Sequence, residues 1–221
     1  MNVCFFAVGE PDAEMAEMAA EALRLTNPDA KAYVLTDAET QFKTLEPVRG
    51  HVSPHTLIYD RTIAQLHFLR QHREGVLFLD SDCIVNQPLE GVFEGPIALT
   101  RRVPPTKLPD QIYNGGVLYG EGHAGVAFWA HWVECYQYLP RQNWQWYGDQ
   151  MLLVHLVPTY EVINVYHEAH NYVWTNSREL DEVLPYYVVH FKGPKRKPYM
   201  PRYLDTLKAR YGAPENLLRS A

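Results

Sequence analysis

Asp80 and Asp82 close the run Val76-Leu77-Phe78-Leu79-Asp80-Ser81-Asp82, and their spacing is the clearest invitation to chemistry in this chain. Positions i and i+2 of an extended segment point the same way, so the two carboxylates would converge on one spot. Converging carboxylates repel unless a cation lies between them. Hard divalent ions such as Mg²⁺ or Mn²⁺ take oxygen ligands and commonly hold a substrate diphosphate as well. The pair therefore points to a metal-dependent enzyme with a nucleotide-linked substrate. The competing use is an Asx turn, in which both aspartates cap backbone N–H groups.

Four further constellations bear on that choice. Tyr113-Asn114-Gly115-Gly116-Val117 sets an amide beside two glycines inside an apolar run, which permits a bulge or a close backbone approach to a ligand. Gly148-Asp149-Gln150 offers a carboxylate and an amide at a helix start, where an N-cap is the plain alternative for Asp149. Val188-Val189-His190-Phe191-Lys192-Gly193 joins a strand-end imidazole to a glycine turn, and Lys195, Arg196 and Lys197 follow. The imidazole could be a third metal ligand, and the lysines could neutralise a leaving diphosphate. A buried core histidine and a solvated basic face are the bland readings of the same residues. Arg61 opens the helix before the Asp-Ser-Asp run and could reach a phosphate or form a surface ion pair.

The elements that must position these residues follow from pattern. Val3–Val8 reads as a strand, Pro11 to Leu25 as a helix stopped by Asn27-Pro28, and Lys31–Thr36 as a second strand. This β–α–β opening predicts an α/β domain. A helix over Ile58–Leu69 feeds strand Val76–Leu79, which places the aspartates at a strand's carboxyl end, where open α/β sheets bind ligands. Strands are predicted at Ile97–Thr100, Ile112–Tyr119, Tyr160–Val165 and Tyr186–Phe191. Helices are predicted at Gly122–Leu139, Met151–Leu156 and Tyr199–Tyr211, and Arg101–Pro109 reads as a loop. Neither a repeat nor an interdomain linker interrupts the pattern, so residues 1–221 are expected to form one domain.

Composition bounds the function. The 221 residues are 47% hydrophobic and 13% aromatic, enough for a sizeable core. A net charge of −6 argues against a general nucleic-acid binder. Three scattered cysteines, Cys4, Cys83 and Cys135, support neither a zinc site nor a disulfide framework and fit reduced thiols. The start of the chain lacks a basic n-region, and no segment has the ~20 apolar residues of a membrane span. A cytoplasmic protein is the expectation.

In order, the chain carries Leu79-Asp80-Ser81-Asp82, Asn114-Gly115-Gly116-Val117, Gly148-Asp149-Gln150 and His190-Phe191-x-Gly193. That order resembles the glycogenin-like and galactosyltransferase-like enzymes of glycosyltransferase family 8, from the first strand to about Pro198. The resemblance implies an α/β fold of GT-A type, Rossmann-like, with a mixed central sheet flanked by helices. It also implies hexose transfer from a UDP-sugar with retention of anomeric configuration. Asp80, Asp82 and His190 would hold Mn²⁺ (or Mg²⁺), and Ala7, Val8 and Asp37 would lie near the base. Arg61 and Ser81 would contact the donor, Asn114, Asp149 and Gln150 would surround the sugar, and Gly193, Lys195 and Lys197 would close over the phosphates.

One departure is clear. The family's Lys-Pro stands one position later here, as Lys197-Pro198, with Arg196 before it and Tyr199 after it. Which of Lys195, Arg196 and Lys197 meets the diphosphate is left open by the sequence, as is the acceptor, whether saccharide, lipid or protein. Trp144, Trp146, Tyr147 and Trp174 offer rings for sugar stacking or for core packing. Two other classes compete. A nucleotidyltransferase would need a glycine-rich basic loop after the first strand, and Gly9-Glu10-Pro11-Asp12 is neither. A non-catalytic sugar-nucleotide-binding protein of the same fold would keep the site without transfer.

Overall fold

A computed structural model describes residues 1–102, 112–167, 170–173 and 180–212, and among these described residues it has two sheets and five α-helices. The strands are β1 (Asn2–Phe6), β2 (Lys31–Thr36), β3 (Glu46–Arg49), β4 (Val76–Asp80), β5 (Cys83–Val85), β6 (Ile97–Arg101), β7 (Tyr113–Gly120), β8 (Ile163–Tyr166), β9 (Tyr172–Val173) and β10 (Val188–His190). The helices are α1 (Glu10–Thr26), α2 (Leu57–Gln71), α3 (Gly122–Cys135), α4 (Gly148–Leu156) and α5 (Met200–Tyr211).

The large sheet runs β3-β2-β1-β4-β7-β6-β8. Strand β1 is parallel to both β2 and β4, whereas β7 runs antiparallel to both of its neighbours, so the sheet is mixed. This is the α/β architecture with flanking helices expected from the sequence. Strand β4 is central and buried on both faces, which accounts for its unbroken apolar run. Val3, Phe5, Leu77, Leu79 and Val117 face α1, and Cys4, Val76, Phe78 and Leu118 face the layer of α2, α3 and α4. Alternation along each strand thus divides one apolar sequence between two cores.

The chain leaves β1 for α1 and β2 on one side, and β4 lies on the other. The order of the sheet therefore reverses between β1 and β4, and the crevice opens at their carboxyl ends. Because β7 is antiparallel, it brings its amino end, with Asn114-Gly115-Gly116, to that same edge beside Leu79 and Asp80. A small sheet, β5-β10-β9, stands next to it. Its β10 pairs with β5 so that His190 lies opposite Cys83, and the Phe191 N–H donates to the Asp82 carbonyl at 2.8 Å.

Several boundaries differ from expectation. The first strand ends at Phe6, so Ala7 and Val8 lie beyond it, and the strands foreseen at Tyr160–Val165 and Tyr186–Phe191 are Ile163–Tyr166 and Val188–His190. Helix α4 begins at Gly148, three residues before the foreseen start, so Asp149 and Gln150 are its first turn. Trp174 and most of the foreseen Arg101–Pro109 loop lie outside the described residues. Cys4, Cys83 and Cys135 are free thiols.

One surface carboxylate ties the segment entering β3 to α1. Glu17 accepts the N–H groups of Lys43 at 2.5 Å and Thr44 at 2.8 Å, and also the Thr44 hydroxyl. Burial opposes its ionisation, but these hydrogen bonds outweigh burial and hold the carboxyl below its ordinary value of 4.5. Its stabilisation is therefore complete above that value and is lost as the pH falls through the lower folded one. Glu17→Gln is expected to flatten the fall in thermal stability between about pH 5 and pH 3 relative to the parent. Identical pH–Tm curves would rule the contact out as a source of acid lability.

Candidate active site

A cleft of about 500 Å³ opens at the carboxyl edge of the large sheet and is lined by Asp80, Ser81, Asp82, Gly115, Gly116, Asp149, Gln150, His190, Lys192, Gly193 and Lys197, among others. It lies within the size range of small-molecule sites. The four separate sequence constellations therefore meet in one place.

The donor atoms are close-set. His190 Nε2 lies 3.0 Å from Asp82 Oδ1 and 3.8 Å from Asp80 Oδ2. Burial alone would push the Asp82 carboxyl up, but the His190 imidazole and then Lys197 outweigh it and hold the group down to about 2. Cys83 also brings its sulfur within 4.8 Å of the Asp82 and His190 donor atoms. Burial and the two aspartates push that thiol well up, and it donates to the Gly116 carbonyl at 3.5 Å, so its hydrogen is committed to the backbone. Two carboxylates and one imidazole remain. That donor set fits a hard divalent cation such as Mn²⁺. The Asx-turn reading of Asp80 and Asp82 does not hold, since their side chains go to Arg61, His190 and Lys197.

The imidazole is held from behind by a residue the sequence reading missed. Asn171 Oδ1 lies 3.3 Å from His190 Nδ1, and its Nδ2 donates to Thr100 Oγ1 at 3.0 Å. Because the amide nitrogen is committed to Thr100, its oxygen faces the ring and accepts the Nδ1 proton. The Nε2 lone pair is thereby left to the Asp80 and Asp82 side. Asn171 stands in a polar, irregular stretch, and only its place in the fold gives it this partner.

The glycine pair has a steric reason. The register of β7 against β6 shifts between Leu99 and Thr100, a bulge of the kind the sequence predicts. A Cβ on Gly116 would come within 2.5 Å of His190 Cε1 and 2.8 Å of Asp80 Oδ2. One on Gly115 would overlap Asp149 Oδ2 and lie 3.0 Å from Arg61 Nη2. The backbone must be bare here so that the charged side chains can close over it.

Arg61 joins the two halves of the site. Its Nη1 donates to Asp80 Oδ1 at 2.7 Å and its Nη2 to Asp149 Oδ2 at 2.5 Å, with Arg61 and Asp149 almost wholly buried. Burial works against the guanidinium's charge, but the two carboxylates prevail and raise its pKa. Of the two uses weighed for Arg61, a phosphate contact or a surface ion pair, the ion pair is present but as a buried strut. Asp149 is likewise no N-cap: that position belongs to Tyr147, whose φ of 63° is rare for a side chain of its size. This strained residue and Trp146 line the cleft, Trp146 being 56% exposed, whereas Trp144 packs into the core.

The remaining expectations divide. Ser81, Gln150, Gly193 and Lys197 line the cleft, and Lys197 Nζ lies 3.7 Å from Asp82 Oδ2 and 3.6 Å from Asp12 Oδ1. Lys195 is exposed and does not line the cleft but a second depression beside it, with Lys192, Gly193, Pro194 and Arg196, and the Arg196 guanidinium is turned to the Lys192 carbonyl. Asn114 is buried, and its Oδ1 accepts the Gly116 N–H at 2.9 Å, which makes it a brace of the bulge. Ala7 is fully buried, and its N–H donates to the Leu35 carbonyl. Asp37 caps the N–H groups of Glu39 and Thr40, as a loop-forming aspartate does. Neither Ala7, Val8 nor Asp37 is among the residues that line the cleft.

Solved structures of glycosyltransferases share this fold. A glycosyltransferase involved in glycosylation of the major capsid of PBCV-1 aligns with a TM-score of 0.62 at 13% identity, over 91% of this chain and all of that one. LgtC, a family 8 member, aligns at 0.62 and 16% identity over 98% of both chains. GlyE of Streptococcus pneumoniae TIGR4 aligns at 0.65 and 14% identity, and this chain spans 62% of its length. No family model and no curated protein sequence matches the chain. The resemblance to family 8 is borne out at the level of the fold.

Proposed function

We propose that this chain is a glycosyltransferase that moves a hexose from a UDP-sugar to an acceptor, dependent on Mn²⁺ or Mg²⁺ and with retention of anomeric configuration. One observation carries the reading: Asp80, Asp82 and His190 converge in a cleft at the sheet's switch point, in a fold that LgtC shares over its whole length. LgtC has been solved with donor and acceptor sugar analogues, which supports a sugar-nucleotide cleft in the same fold.

Asp80, Asp82 and His190 would hold the cation. Bound there, it supplies Lewis-acid charge to a diphosphate leaving group. Lys197, the basic residue beside Asp82, adds a positive charge where negative charge develops as the sugar–phosphate bond breaks. Asp149 Oδ1 is buried and unpartnered in the protein, so it is free to accept a sugar hydroxyl while Oδ2 stays on Arg61. Gln150 receives a hydrogen bond from Arg102 on its Oε1, and since arginine only donates, the Gln150 Nε2 is the atom left for substrate. Trp146 offers an aromatic face at the cleft mouth for an acceptor ring.

Thermal unfolding with UDP, GDP and UDP-sugars, each with and without Mn²⁺, tests the reading. A ligand at ~100 times its dissociation constant adds about 2.7 kcal/mol, or several degrees in Tm for a chain of this size. A UDP shift that needs Mn²⁺ supports the donor site. No shift with any nucleotide would leave a fold without the function, and UDP binding without UDP release from any donor would favour the non-catalytic reading.

The Asn171 brace makes a separate prediction. Asn171→Leu is expected to weaken Mn²⁺ binding about 10- to 100-fold, the usual cost of losing a partner that orients a ligating histidine. Mn²⁺ titration followed by electron paramagnetic resonance measures it, and an unchanged affinity would remove Asn171 from this role.

A further inference from the structure

The connection between α3 and α4, residues 136–147, holds two of the four large apolar side chains that are exposed among the described residues. Trp146 is at the cleft mouth, and Tyr138, 78% exposed, lies outside the cleft. Buried rings hold the connection in place beneath them. Tyr136 and Trp144 pack on Tyr59, with ring centroids 5.0 Å and 4.2 Å away, and the Trp144 Nε1–H donates to the Leu139 carbonyl at 3.3 Å. A Cβ on Gly148 would overlap the Asn143 carbonyl and lie 3.2 Å from Leu139 Cδ1, so the segment folds back on itself where α4 begins. Tyr138 precedes Leu139, and Trp146 is two positions before Gly148, which keeps their Cα atoms within about 20 Å of each other. The two exposed rings thus belong to one fixed surface that runs into the cleft.

The chemistry of that surface is neutral. Each exposed ring follows an exposed glutamine, as Gln137-Tyr138 and Gln145-Trp146, and Gln142 is exposed between them. Residues 136–147 contain no carboxylate, and their one cation, Arg141, lies over the Trp144 ring at 3.9 Å. An aromatic face beside a neutral amide matches a pyranose, which has an apolar C–H face and a rim of hydroxyls that both donate and accept. The glutamines interrupt the apolar surface that a lipid chain or an amphipathic helix would need, and one engaged cation gives an anionic membrane little to hold. We infer, resting on the glycosyltransferase reading above, that this connection is an acceptor platform for a neutral oligosaccharide, with one unit on Trp146 at the cleft and another on Tyr138. Its rings are in place before the acceptor arrives, so little ordering cost falls on binding.

Binding of the full chain is measured on an array of neutral and acidic oligosaccharides, from disaccharides to hexasaccharides, and on vesicles of phosphatidylcholine and phosphatidylglycerol, each with and without UDP and Mn²⁺. Neutral oligosaccharides are expected to be retained, with affinity rising at least about fivefold from disaccharide to tetrasaccharide, the scale of one further ring contact. Tyr138→Ala should remove that rise with length while disaccharide binding persists, and Trp146→Ala should weaken binding at every length. Both side chains are exposed, so a Tm near the parent's is expected for each variant. No binding to any neutral oligosaccharide, a preference for acidic ones, retention on vesicles in their place, or binding that survives both substitutions would overturn the inference. A chain that bound neutral oligosaccharides but no nucleotide would support the saccharide platform and sink the glycosyltransferase reading, so the two are told apart.

Discussion

Asp82→Asn is expected to abolish Mn²⁺-dependent UDP binding and sugar transfer, a loss of at least about 100-fold, in a chain that still folds. The residue is buried and has two partners, His190 at 3.0 Å and Lys197 at 3.7 Å. An amide keeps the shape of the carboxylate but removes the charge that a divalent cation needs. Stability should change little in the absence of metal, because two effects oppose each other. The variant loses attraction to His190 and Lys197, and it also loses repulsion from Asp80 and Asp12. The backbone bond from the Phe191 N–H to the carbonyl of residue 82 is untouched, so β10 keeps its place beside β5. Thermal unfolding should therefore show a Tm near that of the parent and no response to UDP plus Mn²⁺. A full response would mean that Asp82 is not a metal ligand.

How far such a site can be read from sequence depends on whether its logic is local. The Asp80–Asp82 spacing is local: strand geometry alone puts both carboxylates on one side, and the unbroken apolar run before them marks a central strand. The Gly115-Gly116 bulge is local in the same sense, because glycines inside a strand announce a close approach. What the glycines approach is not local. Gly116 lies against His190 and Gly115 against Asp149, and those contacts exist only once β7 runs antiparallel beside β4.

The misses follow the same rule. Strand β3 contains Pro47 and is largely exposed, so it carries no apolar alternation to find. Strands β5 and β9 are three and two residues long, and β5 pairs with β10, more than 100 positions later in the chain. The place near a nucleotide base that family resemblance gives Asp37 and Ala7 is a separate matter, and their own groups also satisfy the backbone around them. Asn171 and Arg102 were given no role, because a single amide and a pair of adjacent arginines in a loop have no spacing that points to a site. Their roles come from Thr100, His190 and Gln150, all distant in sequence.

Arg61→Met is expected to cost about 3–5 kcal/mol of stability, roughly 10 °C or more in Tm for a chain of this size, before any substrate is added. The guanidinium is the counter-charge that lets Asp149 be buried at 2% exposure, and Asp149 Oδ1 already has no partner in the protein. With Arg61 gone, Asp149 must take up a proton or draw water into the core between α2, α4 and β7. Asp80 is less affected because it is 30% exposed. Methionine fills much of the volume, so the loss would measure charge and not a cavity. Adding Asp149→Asn should recover more than half of that loss, since a neutral amide needs no counter-charge, and denaturant titration of the four proteins gives the coupling directly. A cost below about 1 kcal/mol, or no recovery in the double variant, would mean that Arg61 is present for the ligand alone. The expected result has a consequence for catalysis. The strut that stabilises the fold also fixes Asp80 and Asp149 relative to each other, so the metal donors and the sugar-facing carboxylate are in place before a donor arrives, and binding need not supply the free energy to assemble them.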